Sequence, residues 1–241
     1  MKISQYVDDT VCFLQDKQSV NRVLKFSREF YQASGLKANI EKTSFYQMNK
    51  HQPICMQNTG IIESGPHPLV LGIKLALNEK DNLTLNYLPK IEKAKKFLQI
   101  WSQRKLSLTG KITILNTFAM SQLVYPMTVM ETPNSVLELV DKIFFNFLWS
   151  NKTPKVKRDV IIKDTSNGGL KMIDVFEKVK ALKCTWISRS LSNDRAVWVD
   201  VLEACLPEGL DWKYLIETNS IEPIKHKLPP FYTEVLEAWQ Y

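Results

Sequence analysis

Short runs of alternating apolar and polar residues open the chain. KISQY and TVCFL read as two strands joined by the acidic turn Val7-Asp8-Asp9, a β-hairpin over residues 2–14. The period then lengthens. Val20, Val23, Leu24, Ser27, Phe30 and Tyr31 fall on one helical face, with Ser19 as the expected N-cap and Gly35 suited to the left-handed position past the C-terminus. TSFYQM and LVLGIKL return to strand character on either side of a polar, Pro-containing stretch at 51–68. From about residue 85 the helical period dominates. Leu88, Ile91, Ala94, Leu98 and Trp101 form one stripe, and Lys90, Lys93 and Lys96 lie on the far side. Thr109 is placed to cap a helix that runs to about Val124 and stops at Pro126. Ser135-Val136-Leu137-Glu138 has the form of a capping box, opening a helix with Val136, Leu139, Val140, Ile143, Phe144 and Phe147 inward. Asn167-Gly168-Gly169 marks a turn, and further helices are expected at 174–191, 195–205 and 230–240. The pattern predicts an α+β chain, mixed over 1–76 and mainly helical over 77–150 and 151–241.

Composition adds a core and a charge. With 241 residues, 44% of them hydrophobic and six Trp among them, the chain has enough apolar surface to fold. Its formal net charge of +7 favours a polyanionic partner. Between Tyr87 and Lys111 stand seven cations (Lys90, Lys93, Lys95, Lys96, Arg104, Lys105 and Lys111) against the single acid Glu92. A solvated helix face is the plain reading of such a stripe, and a phosphate-tracking surface is the functional one. Trp101 sits on the apolar side and is expected in the core. Lys152, Lys155, Lys157 and Arg158 form a second basic group, while Lys178, Lys180 and Lys183 belong to the helix expected at 174–191. Cys12, Cys55, Cys184 and Cys205 are scattered, which fits a reducing intracellular compartment, nuclear or cytoplasmic, and shows no zinc spacing; His51 with Cys55 is too small a ligand set. The uncharged run Ile112 to Met130 is broken by Thr113, Asn116, Gln122 and Pro126, so a buried helix is expected and no membrane span.

Two adjacent carboxylates at a hairpin tip satisfy simple turn chemistry. They also suit Mg²⁺, which binds a few carboxylates and keeps its remaining positions for water and phosphate oxygens. Two-metal phosphoryl transfer needs at least one carboxylate more.

The run SQYVDDTVCFLQDKQSV, then Gly35-Leu36 with Asn39 and Lys42, then Leu71-Gly72, resembles reverse transcriptases in order and spacing. WSQRKLSLTGKITILNTFAMSQLVYPM, FNFLWSNKTPKV, NGGLKMIDV and PFYTEVLEAW resemble the succession of segments in the non-LTR, LINE-type members of that family. The resemblance implies part of a polymerase palm over 1–76, a thumb-like domain over 77–150 and a post-thumb region over 151–241. It implies Asp8 as main metal ligand, Asp9 in support, Tyr6 near the primer terminus, and Lys42 near the leaving pyrophosphate, where a solvated lysine before a strand is the alternative. Gly72 would let backbone approach the primer, with a β-bulge as the alternative. Lys90, Lys93, Lys96, Arg104 and Lys105 would follow the backbone of an RNA template and DNA primer, and the second basic group would meet template RNA. Val7 stands where LINE-type enzymes commonly have Ala. In that family the fingers, the palm strand with the other essential aspartate and an endonuclease domain precede the hairpin. A polymerase fragment inactive by itself is therefore expected, with Mg²⁺ as an incompletely held cofactor. The alternatives are a noncatalytic nucleic-acid-binding remnant and a nonfunctional retrotransposon relic.

Overall fold

A computed structural model describes residues 2–48, 60–76, 78–192, 197–204, 206–218 and 220–241. His51, Cys55, Cys205 and the first residues of the helix expected at 195 lie outside these. The chain divides into two compact units, Met1–Ala76 and Leu77–Tyr241.

The first unit begins with strands β1 (Lys2–Tyr6) and β2 (Asp9–Phe13), antiparallel and in register from Lys2 opposite Phe13 to Tyr6 opposite Asp9. That register leaves a two-residue turn, Val7-Asp8, and puts Asp9 at the start of β2. Val7 has φ 53, the hand that matches strand twist in a tight hairpin but an unfavourable one for a β-branched residue. Helix α1 (Lys17–Ser34) starts three residues earlier than the Ser19 cap predicts, because Asp16 accepts from the Ser19 N–H at 2.7 Å. A carboxylate there satisfies an orphan donor and faces the positive end of the helix, and these hydrogen bonds hold the Asp16 carboxyl below its usual pKa. Gly35, φ 75, closes the helix through its N–H to the Tyr31 carbonyl.

TSFYQM contracts to the short β3 (Ser44–Phe45), parallel to β4 (Ile62–Glu63). LVLGIKL forms a hairpin of β5 (Leu69–Val70) and β6 (Ile73–Lys74), with Leu71 (φ 47) and Gly72 (φ 80) as its turn. Val20 and Ile73 are the large apolar side chains this unit buries among its described residues. Val23 and Leu24 are half-buried, while Phe30 and Tyr31, on the same predicted face, stand exposed.

The second unit is helical. Helix α2 (Glu79–Asn82) runs through a π-turn, Leu83–Tyr87, into α3 (Leu88–Ser102). Helix α4 (Leu108–Ile114) runs through a second π-turn, Leu115–Ala119, and α5 (Ser121–Val129) follows. Ser107, not Thr109, caps α4, its Oγ accepting from the Gly110 N–H. Pro126 does not stop the helix. It is buried between Leu123 and Met127, and burying such neighbours offsets the roughly 3 kcal/mol that an internal proline costs. Helix α6 (Asn134–Trp149) follows Pro133 and has no side-chain cap, so the Ser135–Glu138 capping box is not formed. Its buried face, Val136, Leu137, Val140, Phe144, Phe147 and Leu148, overlaps the predicted one, with Leu139 and Ile143 at its edge.

The chain continues through α7 (Arg158–Ile162), α8 (Val175–Ser190), α9 (Val197–Glu203), α10 (Trp212–Glu217) and α11 (Pro230–Gln240). One core gathers side chains from Tyr87 to Val179, including Ile161 and Met172, and so extends across residue 150. A second core, Ile187 to Leu236, centres on Trp212, Leu215, Val235 and Leu236, with Trp186, Trp198 and Tyr232 packed against it. The Tyr87 hydroxyl donates to the Glu131 carbonyl at 2.9 Å and lies 3.2 Å from Thr132 Oγ1; burial raises its pKa. Asn116, in the second π-turn, holds the segment before α8 with two bonds: Nδ2 to the Lys171 carbonyl at 2.8 Å, and Oδ1 from the Ile173 N–H at 3.0 Å. Among the described residues no helix is long and apolar enough to cross a membrane.

Candidate functional site

Asp8 and Asp9 stand at the hairpin tip, both exposed and without an ion-pair partner among the described residues. Gln5 Nε2 donates to the Val7 carbonyl at 3.2 Å and braces the turn from one side. Tyr6 pairs with Asp9 across the strands and is also exposed. No group of three or more His, Cys, Asp or Glu able to hold a metal ion occurs among the described residues. The hairpin thus offers a two-carboxylate donor set. That is too few for two ions, and no metal-dependent step follows from it.

Lys42 ends a separate 3₁₀ turn, Ile40–Lys42. Asn39 Oδ1 accepts the Lys42 N–H at 3.2 Å, which gives the Asn-x-x-Lys spacing a local structural cause. The Lys42 side chain is exposed. Gly72 is part of a two-residue turn and not a bulge. No atom lies within 4 Å of where its Cβ would be, so backbone conformation accounts for the glycine and close packing does not.

On α3 the core takes Ile91, Ala94 and Leu98. Lys93 and Lys96 are exposed and Lys90 is half-buried, and none of the three makes an ion pair among the described residues. Lys95 lies 3.9 Å from Glu92, so the one acid of the stretch is beside a different lysine. Arg104 and Lys105 follow the helix in the exposed connection to α4, and the Arg104 guanidinium lies 5.1 Å from the Trp101 ring centre. Trp101 is half-buried against the first core.

Three of the cations singled out by charge serve the fold. Lys111 Nζ donates to the carbonyls of Phe147 (3.3 Å) and Leu148 (3.0 Å) and to Ser150 Oγ (2.6 Å), closing the C-terminus of α6 where Ser150 and Asn151 turn left-handed. Burial, with Lys152 nearby, lowers its pKa. Arg158 Nη2 lies 2.7 Å from Asp141 Oδ2 and its guanidinium 4.0 Å from the Phe145 ring centre, so it is committed to α6. Lys152, Lys155 and Lys157 remain exposed. Lys183 is fully buried. Its ammonium meets Glu234 Oε2 at 2.8 Å and donates to the Met130 carbonyl, and Glu234 Oε2 also accepts the Thr132 N–H at 3.0 Å. Burial lowers the Lys183 pKa and raises that of Glu234, while their attraction opposes both shifts. Helical period alone places Lys183 on the α8 face with Val179 and Ile187, both buried; that spacing was the available signal. Sequence reasoning also missed Asn116 and the ring pair Phe97–Phe118.

No protein-family model matches the chain. A protein of Arabidopsis thaliana named as a ribonuclease H protein is 25% identical over 139 residues, which are 54% of this chain and 22% of that protein. The chain thus spans about a fifth of that relative's length. The similarity is weak and partial.

Proposed function

We propose that this chain is a noncatalytic nucleic-acid-binding segment of LINE-type reverse-transcriptase descent, with its helical unit making the contact. The observation that carries the reading is the α3 surface, where exposed Lys93 and Lys96, beside half-buried Lys90, have no acid paired with them. Such cations neutralise phosphates without reading bases. The ordered succession of motifs supports the descent, and the partial similarity to the Arabidopsis protein is consistent with it. On this reading an RNA template and a DNA primer are the natural partners. Asp8, Asp9 and Lys42 are the retained polymerase positions, and an Mg²⁺ centre at the hairpin requires a carboxylate from outside the described residues.

The test is binding of labelled oligonucleotides by the purified chain across a salt series. Each phosphate contact adds about 0.9 to the log–log slope on duplex and about 0.7 on single strands. Changing Lys93 and Lys96 together to Ala is expected to weaken binding and flatten the slope by roughly 1.4–1.8. Lys213→Ala with Lys227→Ala is the charge-matched control, since both side chains are exposed elsewhere in the unit. Equal losses from the two doubles would mean net charge drives association and would sink the α3 assignment. With primed RNA, dNTPs and Mg²⁺ the same preparation should extend no primer; extension above an Asp8→Asn control would overturn the noncatalytic part.

A further inference from the structure

The α3 lysines border an aromatic patch. The Phe97 ring lies 5.3 Å from that of Phe118 and 6.1 Å from that of Trp101, and the Arg104 guanidinium lies 5.1 Å from the Trp101 ring centre. The four groups form a row: Phe118, Phe97, Trp101, Arg104. Helical spacing puts Lys93, Phe97 and Trp101 along one stripe with Lys96 alongside it, since residues three and four apart are neighbours on a helix surface, and Arg104 follows just past the helix end. The row is open to solvent at one end. Phe118 is 47% exposed although Leu115 and Ala119, in the same π-turn, are fully buried. The π-turn thus holds one phenyl ring out of the core and against Phe97, the ring that shares the α3 surface with Lys93 and Lys96.

We infer that this surface binds single-stranded nucleic acid, with a base stacked on Phe118 and the strand's phosphates on Lys93, Lys96 and Arg104. The inference rests on the nucleic-acid reading above and narrows it. Charge complementarity selects a polyanion. The rings select unpaired bases, because every base has a face to offer an aromatic ring but a duplex keeps those faces stacked inside. Lysines alone would serve a duplex equally well. Phe97 backs the exposed ring, and Trp101 in turn holds the Arg104 guanidinium beside the patch.

The experiment measures anisotropy of the full 241-residue chain with fluorescein-labelled oligo(dT), oligo(rU) and a duplex of equal length. Both single strands are expected to bind more tightly than the duplex. Phe118→Leu keeps an apolar contact with Phe97 but removes the ring, and should weaken single-strand binding about five-fold or more while leaving duplex binding unchanged. Phe118→Trp should retain the affinity. Preference for the duplex, or a neutral Phe118→Leu, would overturn the single-strand inference and leave the phosphate-binding reading standing. Failure to bind any of the three probes would remove both. If Phe118→Leu instead converts a dimer to a monomer without altering single-strand binding, a second copy of the chain covers the patch and the inference fails.

Discussion

Individual residues here carry constraints that a motif string conceals. In Asn167-Gly168-Gly169 the two glycines are needed for different reasons. Gly168 ends a 3₁₀ turn, Thr165–Asn167, at φ 75, with open space where its Cβ would stand. A Cβ on Gly169 would lie 1.9 Å from the Lys163 carbonyl oxygen. Gly168→Ala should therefore cost about 1–2 kcal/mol for the left-handed backbone. Gly169→Ala must displace a neighbouring strand of backbone, and is expected to cost more, about 3 kcal/mol. Urea denaturation of the two variants measures the order; the reverse order would show that the Lys163 carbonyl yields easily. Lys111 is a second case. Its charge places it with the cationic stretch, yet its three hydrogen bonds close α6. Lys111→Ala should lower stability by about 1–3 kcal/mol while the salt slope of nucleic-acid binding stays as in the parent chain. A flattened slope would return Lys111 to the interface.

At the scale of elements, apolar periodicity located the long helices because their packing has that period. The stripe on α6 became a core face, as did Ile91, Ala94 and Leu98 on α3, whereas Leu88 at the first turn of α3 stands exposed and Trp101 half-buried; α8, α9 and α11 lie where the pattern put them. Boundaries and caps were less legible. Asp16 displaced Ser19 and Ser107 displaced Thr109, since neighbouring oxygens compete for the same few N–H groups and only geometry selects one, while the Ser135–Glu138 box went unused because α6 already begins at Asn134, after Pro133. The two π-turns and the helical Pro126 were illegible, because they depend on side chains brought from distant segments. Lys183 shows the same limit. Its partners, Glu234 and Met130, lie on α11 and at the end of α5, and Glu234 also accepts the Thr132 N–H, so the group ties the second core's last helix to the end of α5. Removing one member of such a pair strands the other. Lys183→Met is expected to destabilise the chain by about 3–5 kcal/mol, and pairing it with Glu234→Leu should restore most of that. Additive losses in the double variant would mean that shape, and not charge, is what these positions supply.

At the scale of the whole molecule, the contrast between the two units decides how the chain behaves as an object. Leu77–Tyr241 has two cores with fully buried residues such as Tyr87, Met127, Phe144, Ile187 and Leu215. In Met1–Ala76 the buried large apolar side chains, among those described, are Val20 and Ile73, and Phe26, Phe30 and Tyr31 on α1 are exposed. Each fully buried Leu, Ile or Phe contributes about 1.5–3 kcal/mol before chain entropy is charged against it, and ordering a residue costs about 1–2 kcal/mol. With so few buried apolar side chains among the first unit's described residues, those residues have little to offset that cost. Among its described residues the strands also pair only two by two, in three separate sheets, and an isolated hairpin is marginal in water. Amide exchange should therefore be fast across β1, β2 and α1 and slow across α6 and α8, and limited proteolysis should cut inside 1–76 first, leaving a resistant core beginning near residue 77. Urea should unfold the chain in two steps, with nucleic-acid binding retained through the first, since Lys93, Lys96 and Phe118 all belong to the second unit. Uniform protection with a single transition would show that the α1 face is covered in solution, and analytical ultracentrifugation of the same sample would then tell whether a second copy covers it. Loss of binding at the first step would place part of the interface in the hairpin unit, on the side of Asp8, Lys42 and Gly72.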